Sequence, residues 1–285
     1  MTSPKYSSLA SVRATRERLA ELELSTKKSL GQHFLIDDGV VGKIIRLAAL
    51  EPGSKVVEIG PGIGTLTEAL LAASIQLTAV ELDTALLAGL AERYPSVRVI
   101  GGDALAPETI AFLQELRPVA LVANLPYALA ATLVLEYFRT VPSLVSATVM
   151  VQREVAERIA APPGGKEYGA YTVKLRLLTR VAEQFRVSPQ SFYPPPRVDS
   201  TVLRLERECS FDVLLAAASM LADAAFYQRR KTIRNSMQAY FSEFSECGLN
   251  NDSVDSILAA AHINPICRGE TLSAEDYLTM AQFMP

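Results

Sequence analysis

Cysteine is scarce in this sequence, and its few thiols lie far apart. The three cysteines are Cys209, Cys247 and Cys267, and none belongs to a CxxC pair or to a Cys/His pattern with metal-ligand spacing. An odd number of separated cysteines predicts neither a disulfide framework nor a zinc site. We therefore expect no metal centre, and a reducing compartment, the cytoplasm, fits this cysteine usage best.

The sequence also lacks an apolar leader, internal repeats and low-complexity tracts. Residues 1–24 mix acidic and basic side chains without a continuous hydrophobic stretch, which does not indicate a signal peptide. Hydrophobic residues make up 49% and charged residues 21% of the chain, values typical of soluble globular proteins. These proportions argue against a disordered or coiled-coil protein.

Only one long run carries no charge, and it spans residues 118–135. Its length raises the possibility of a membrane span. The sequence Asn-Leu-Pro-Tyr interrupts it at Asn124, and a proline in that place favours a strand, a turn and a helix. We therefore expect no membrane segment here.

Short β-rich runs alternate with helical patterns from Ser54 onward. The runs are KVVEIG, QLTAVELD, VRVIGGDAL, PVALVANLPY and ATVMVQ. Strands separated by helices of about 10–15 residues predict a mostly parallel sheet with helices on both faces. The sequence therefore predicts a doubly wound α/β fold, followed by a small C-terminal helical domain.

Changes in this pattern suggest three segments. Residues 1–26 form a helical extension, with a helix capped near Ser7 or Ser8. Residues 27–207 form the α/β domain, which ends after the strand TVLRLE. Residues 208–285 contain short amphipathic helices with no convincing strand.

The first strand of the α/β pattern ends in a glycine-rich turn. Gly60, Gly62 and Gly64 lie between the strand and a helix, where backbone N–H groups can approach a ligand. Glu81 ends the next strand, where its carboxylate can accept hydrogen bonds from ribose hydroxyls. A plain structural turn is the alternative. A nicotinamide dehydrogenase is a competing interpretation of the glycines and the acid, but S-adenosylmethionine fits better because no hydride-transfer residues follow.

Two further strands also end in polar residues. Asp103 follows the third strand, and Asn124 ends the fourth. Ligands bind at the carboxyl edge of such sheets, so these groups extend the predicted site. For Asp103 the alternative is a helix N-cap.

A cluster of basic residues, YQRRKTIRNS, stands out in the otherwise acidic C-terminal segment. Such a cluster can bind phosphates and indicates an RNA contact, although a solvated helix face is the alternative. The predicted RNA-binding residues are Arg229, Arg230, Lys231 and Arg234.

From about Lys27 to its C-terminus the chain resembles the bacterial small-subunit ribosomal RNA adenine dimethyltransferases. This family uses S-adenosylmethionine to convert two adjacent adenosines near the 3′ end of 16S RNA to N6,N6-dimethyladenosine. The resemblance implies action on the immature small subunit, by a monomer. The motifs that carry it, in the family's order, are KKSLGQHFLID, VVEIGPGIGTLT, VELD, GDAL, NLPY, MVQREVAERI, SFYPPPRVDSTVLRL, FYQRRKTIRNS and RGETLSAEDY.

The resemblance also assigns roles to individual residues. The implied cofactor-binding residues are Gln32, His33, Leu35, Gly60, Gly62, Glu81, Leu82, Asp103, Ala104 and Asn124. The implied catalytic residues are Asn124, Leu125, Pro126, Tyr127 and Phe192. For His33 the alternative is a packed histidine, and for Phe192 it is a core phenylalanine.

The chemistry explains the Asn-Leu-Pro-Tyr turn. The lone pair of an adenine N6 amine is delocalised into the ring, so its hydrogens need acceptors that favour a more tetrahedral nitrogen. The Asn124 side-chain oxygen and the Leu125 carbonyl can be those acceptors. Pro126 stiffens the turn, and Tyr127 and Phe192 can stack on a flipped adenine.

The sequence departs from the family pattern at two positions. Ala128 stands where the family usually has Asn, and Thr132 stands where proline is common. Because Asn124, Pro126 and Tyr127 are intact, we expect activity to survive. The alternatives are a large-subunit RNA methyltransferase of the macrolide-resistance type, a DNA adenine methyltransferase, and a small-subunit assembly factor with weak or no catalysis.

Overall fold

Seven strands form the central sheet in the computed structural model, which describes residues 6–24, 32–126, 129–244 and 249–284. The bounds of these strands are β2 Lys55–Ile59, β3 Gln76–Glu81, β4 Arg98–Gly101, β5 Ala120–Asn124, β6 Ser146–Gln152, β7 Thr179–Val187 and β9 Ser200–Arg207. Their order across the sheet is β4-β3-β2-β5-β6-β9-β7. A separate antiparallel pair is formed by β1 Phe34–Leu35 and β8 Phe192–Tyr193.

The predicted doubly wound, mostly parallel fold is confirmed. Strands β4, β3, β2, β5 and β6 are parallel neighbours, and β9 pairs antiparallel with β6. The uncharged run at 118–135 forms β5 and the start of a helix, as predicted. Among the described residues, no helix has the length and apolar character that a membrane crossing requires.

The parallel strands are connected by α3 Thr65–Ala72, α4 Thr84–Arg93, α5 Pro107–Leu116 and α6 Ala130–Thr140. The helices before β2 are α1 Val12–Glu21 and α2 Asp38–Ala48, and the helix after β6 is α7 Arg153–Ala160. Local chemistry sets several starts: the carboxylates of Asp37 and Asp83 accept backbone N–H groups at the beginnings of α2 and α4. In β5 the side chains from Ala120 to Ala123 are all buried, as expected for a parallel strand covered on both faces.

The chain divides into two compact units. The first contains 1–156 and 181–207, and the second contains 157–180 and 208–285. Helices of the second unit are α8 Ala170–Arg176, α9 Val213–Phe226, α10 Ile233–Glu243, α11 Asn251–Ala260 and α12 Ala274–Ala281. The sequence placed residues 157–180 in the α/β domain, but they group with the C-terminal helices because α8 packs on α9 and α12.

The N-terminal helix begins later than predicted. Ser11 caps α1, and its hydroxyl accepts the Ala14 N–H at 3.1 Å. Ser7 and Ser8 lie before this cap, and their hydroxyls donate to the carboxylate of Glu68 on α3, at 3.0 and 2.8 Å. The described part of the extension, residues 6–24, is therefore bonded to α3 within the first unit.

One buried acid lies in the centre of the sheet. Glu58 on β2 is 1% exposed, and the Thr67 hydroxyl of α3 donates to its Oε2 at 2.7 Å. This hydrogen bond joins the strand to the helix across the glycine turn. Burial raises the pKa of Glu58 to about 8, the Thr67 bond lowers it less, and the charge of Glu81 adds to the rise.

The raised pKa makes stability depend on pH. Between the ordinary value of 4.5 and the folded value of about 8, the folded chain holds a proton on Glu58 that the unfolded chain has lost. The contribution of Glu58 to the free energy of unfolding is therefore greatest below pH 4.5 and decreases as the pH rises to about 8.

We expect Glu58→Gln, which keeps an acceptor for Thr67, to melt at a progressively higher temperature than wild type between pH 5 and 8. Melting curves at pH 5, 6.5 and 8 measure this, with the exposed Glu108→Gln as control. A pH-independent difference would contradict it.

Candidate active site

The carboxyl ends of four neighbouring strands carry the predicted site. After β2 the chain turns through Gly60, Gly62 and Gly64, whose φ values are +65°, +59° and +96°. L-residues rarely adopt this region, so the turn requires glycine at these positions. Among the described residues outside its chain neighbours, the nearest atom to a Cβ on Gly60 would be Pro126 Cδ, at 3.9 Å. Within the described part of the chain, the backbone at Gly60 is therefore accessible to a ligand beside the Asn-Leu-Pro turn.

The glycine turn and the acid after β3 form one site. The Gly62 N–H donates to Glu81 Oε2 at 3.2 Å, and the Asp83 N–H donates to Oε1 at 2.9 Å. Burial raises the pKa of Glu81, and these backbone N–H groups oppose the rise. Each carboxylate oxygen has a second lone pair, so Glu81 keeps acceptor capacity for ribose hydroxyls. Leu82 beside it is 57% exposed and offers an apolar surface to a planar ring.

Asp103 follows β4 and is exposed. Its Oδ1 accepts the Leu105 N–H at 2.9 Å in a local turn, whereas Ala106 occupies the N-cap of α5. Asp103 is therefore not a helix cap. Ala104 is buried, and its carbonyl accepts the Tyr137 hydroxyl at 2.9 Å, which fixes the backbone beside Asp103.

Asn124 ends β5, and its side chain is oriented by a backbone carbonyl. The Asn124 amide nitrogen donates to the His33 carbonyl oxygen at 3.1 Å. Since a carbonyl can only accept, the NH2 end of the amide faces His33 and Oδ1 is the end left for another donor. The Leu125 N–H donates to the Met150 carbonyl at 3.1 Å, which fixes the first peptide of the turn. Tyr127 and Ala128 lie outside the described residues.

His33 links this amide to the proline-rich segment. Its Nδ1 lies 2.7 Å from the Pro194 carbonyl, so Nδ1 carries the proton. The neighbouring Gln32 is half-buried. Leu35, predicted to line the cofactor pocket, is 2% exposed and belongs to the hydrophobic core. The predicted cofactor residues other than Leu35 therefore lie at one edge of the sheet, and Leu35 lies in the hydrophobic core.

Phe192 packs in the core of the first unit. It is 2% exposed and lies opposite Leu35 in the β1–β8 pair. Tyr193 points to the other face of its strand, where Arg16 lies 5.0 Å from the ring centroid and donates to its hydroxyl at 3.1 Å. Sequence reasoning missed Tyr193 and Arg16. Strand alternation separates the two aromatics onto opposite faces but does not tell which face is the core.

The four predicted RNA-binding residues lie in the second unit and differ in their partners. Arg229 pairs with Glu270 at 2.8 Å and donates to the Lys166 carbonyl at 2.6 Å. Arg234 makes two bonds to Asp255, at 2.6 and 2.5 Å. Arg230 and Lys231 are exposed on the turn before α10. In the described part of the chain, no group of three or more His, Cys, Asp or Glu side chains has the arrangement of a metal site.

Comparison with known proteins identifies the family. A family model described as "Ribosomal RNA adenine dimethylase" matches residues 23–280. A protein of Mycobacterium avium, named ribosomal RNA small subunit methyltransferase A, is 40% identical over 93% of this chain and 85% of its own length. A protein of the same name from Leifsonia xyli is 41% identical, over 92% of this chain and 94% of its own.

Solved structures share the fold. A dimethyladenosine transferase of Plasmodium falciparum has a TM-score of 0.73 at 24% identity, covering 87% of this chain and 96% of its own. The 23S rRNA methyltransferase ErmE has a TM-score of 0.62 at 24% identity, covering 88% and 99%. The family model spans most of the chain, and the sequence relatives reach 41% identity over nearly all of it. The chain therefore belongs to the ribosomal RNA adenine dimethylase family of enzymes.

Proposed function

We propose that this protein dimethylates the N6 amines of two adjacent adenosines near the 3′ end of 16S ribosomal RNA, using S-adenosylmethionine. The observation that carries the proposal is the orientation of Asn124, whose NH2 group is engaged by the His33 carbonyl. The relatives at 40% and 41% identity are named small subunit methyltransferases, which favours the small subunit over the large one.

The residues of the carboxyl edge fit the cofactor. The backbone at Gly60 and Gly62 would approach it, Glu81 would take its ribose hydroxyls, and Leu82 and Asp103 would take its adenine. Bound there, S-adenosylmethionine supplies an electrophilic methyl group on a sulfonium. Gln32 and His33 lie on the segment that reaches the same edge, and the His33 backbone orients Asn124.

The chain's own task is to position and polarise the adenine amine. Asn124 Oδ1 and the Leu125 carbonyl would accept its two hydrogens, which favours a nitrogen with an available lone pair. Pro126 fixes the turn, and by family resemblance Tyr127 stacks on the base, a contact worth about 1–3 kcal/mol. A strong general base is unnecessary because the N6 proton becomes acidic once the methyl group has transferred. Positioning in line carries the catalysis.

Phe192 takes a supporting part in this proposal. Its ring is buried in the core, so it would hold the Tyr193–Pro194 segment in place and stack on the base only if the strand pair moves. Pro194 in turn accepts a hydrogen bond from His33.

We further propose the immature small subunit in the cytoplasm as the substrate, with the monomer as the active form. Every residue of the carboxyl edge named above belongs to the first unit, so the proposed site is built from one compact unit of the chain. The exposed Arg230 and Lys231 would contact RNA phosphates, whereas Arg229 and Arg234 are engaged with Glu270 and Asp255.

We expect Asn124→Ala to lower methyl transfer by about 100-fold or more, since it removes an acceptor aimed at the reacting amine. Unmethylated small subunits are incubated with S-adenosylmethionine, the RNA is digested, and methylated nucleosides are quantified by mass spectrometry. Gln114→Ala is the control, because its amide also donates to a backbone carbonyl, of Thr140, at 2.8 Å but on α5.

Wild-type protein should give dimethyladenosine confined to the two adjacent 16S positions. If it binds subunits and cofactor but gives no methylated adenosine, the enzyme assignment is wrong and an assembly factor remains. Methylation of 23S RNA instead would support the large-subunit alternative.

We expect the double variant Arg230→Ala/Lys231→Ala to weaken RNA binding and to reduce the slope of log K against log salt by about 1.4, as for two lost phosphate contacts. Filter binding to small subunits from 50 to 200 mM salt measures this. The control Arg234→Ala/Asp255→Ala removes an ion pair without changing the net charge. An unchanged slope for the first variant, or an equal loss for the second, would contradict this assignment.

A further inference from the structure

The N-terminal arm, residues 6–24, is the part of the first unit that the functional assignment leaves unused. It contains α1, and residues 6–22 precede the segment that the family model matches. Its packing against the rest of the unit is extensive and specific.

Two carboxylates anchor the start of the arm. Asp38 Oδ1 accepts the backbone N–H groups of Tyr6 and Ser7, at 2.8 and 2.7 Å. Glu68 on α3 accepts from the hydroxyls of Ser7 and Ser8 and from the Ser8 N–H, at 2.8–3.0 Å. Glu68 lies one turn after the glycine turn, so the arm is fastened close to the proposed site.

Two helical glycines make room for the arm. A Cβ on Gly42 of α2 would lie 2.3 Å from the Tyr6 ring, and one on Gly89 of α4 would lie 2.3 Å from Leu22. Glycine inside a helix lowers helix stability, so its presence at both contacts matches the close approach of the arm. The Gly89 carbonyl also accepts a hydrogen bond from Arg18, at 2.6 Å.

The apolar side of the arm packs against the elements that form the cofactor edge. Leu9 and Leu19, 4% and 5% exposed, form one cluster with Phe34, Ile63 and Leu86. Ile63 lies inside the glycine turn, and Phe34 follows His33 and is 3.2 Å from the place of a Gly62 Cβ. Leu86 is on the first turn of α4, directly after Glu81 and its loop. This one cluster therefore connects the arm to three segments that carry or adjoin predicted cofactor residues: the glycine turn, the start of β1 and the start of α4.

We propose that the N-terminal arm is a positioning element of the cofactor site: Leu9 and Leu19 hold the glycine turn, the His33 strand and the Glu81 loop in their binding arrangement. The inference rests on the proposed use of S-adenosylmethionine. Without the arm, binding must first order these segments, and the affinity for the cofactor falls by that cost.

The test measures cofactor affinity and stability separately. Isothermal titration of S-adenosylmethionine into Leu19→Ala, well below its melting temperature, should give a Kd about five- to tenfold higher than wild type. Leu205→Ala is the matched control: Leu205 is 1% exposed on β9, and β5 and β6 separate that strand from β2. It should lose melting temperature but keep the wild-type Kd. Leu19→Met, which conserves volume, should restore most of the affinity.

A second variant avoids the core. Ser7→Ala/Ser8→Ala removes the hydroxyls that bind Glu68, and should raise the Kd in the same direction even if Leu19→Ala fails to fold. The proposal is overturned if the arm variants bind with the wild-type Kd, or if Leu205→Ala weakens binding as much as Leu19→Ala. If wild type itself shows no binding, the cofactor assignment fails, and the arm proposal fails with it.

Discussion

Two consecutive hydrogen bonds join three segments of the chain at the carboxyl end of β5. The His33 ring donates to the Pro194 carbonyl, and the Asn124 amide donates to the His33 carbonyl. The first bond joins residues that are 161 positions apart in the sequence, and the second joins residues that are 91 apart. Three distant segments are fixed against one another in this way. Because the NH2 end of Asn124 is engaged, its oxygen is the end of the amide that is left to accept from another donor. The proposed methyl transfer, which needs an acceptor for an amine and no strong base, depends on this orientation.

The two buried glutamates of neighbouring strands have different hydrogen-bond partners. Burial raises the pKa of both Glu58 and Glu81. Glu58 accepts the Thr67 hydroxyl, whereas Glu81 accepts backbone N–H groups from Gly62 and Asp83. Both kinds of donor favour the carboxylate form, the better acceptor for ribose hydroxyls, but several backbone N–H groups do so at Glu81 and one hydroxyl does so at Glu58. Glu58, inside β2, thus joins elements of the fold, whereas Glu81, at the end of β3, is suited to binding a ligand.

The sequence predicted features that depend on local pattern and missed those that depend on distant contacts. Strand ends at Glu81 and Asn124 followed from alternation and parallel topology, because consecutive parallel strands must end at one edge. That Phe192 faces the core and Tyr193 faces Arg16 did not follow, since alternation leaves the face open. The role of Ser7 and Ser8 was misassigned because Glu68 lies about 60 residues away. The inclusion of 157–180 in the helical unit likewise depends on packing against α9, which no local pattern records.

The basic cluster shows why a charge count in sequence differs from the charge available to a polyanion. The chain has a net charge of −3, so its overall field does not attract RNA. Screening limits such a field to about 8 Å at physiological salt, and local cations decide the contact. Of the four clustered cations, Arg229 and Arg234 already neutralise Glu270 and Asp255. A paired cation displaces few counterions on binding, so within this cluster the proposed RNA contact is assigned to the exposed Arg230 and Lys231. Recognition by such a protein then depends on the positions of a few exposed charges. This arrangement suits a protein that binds a single fixed target in a large RNA.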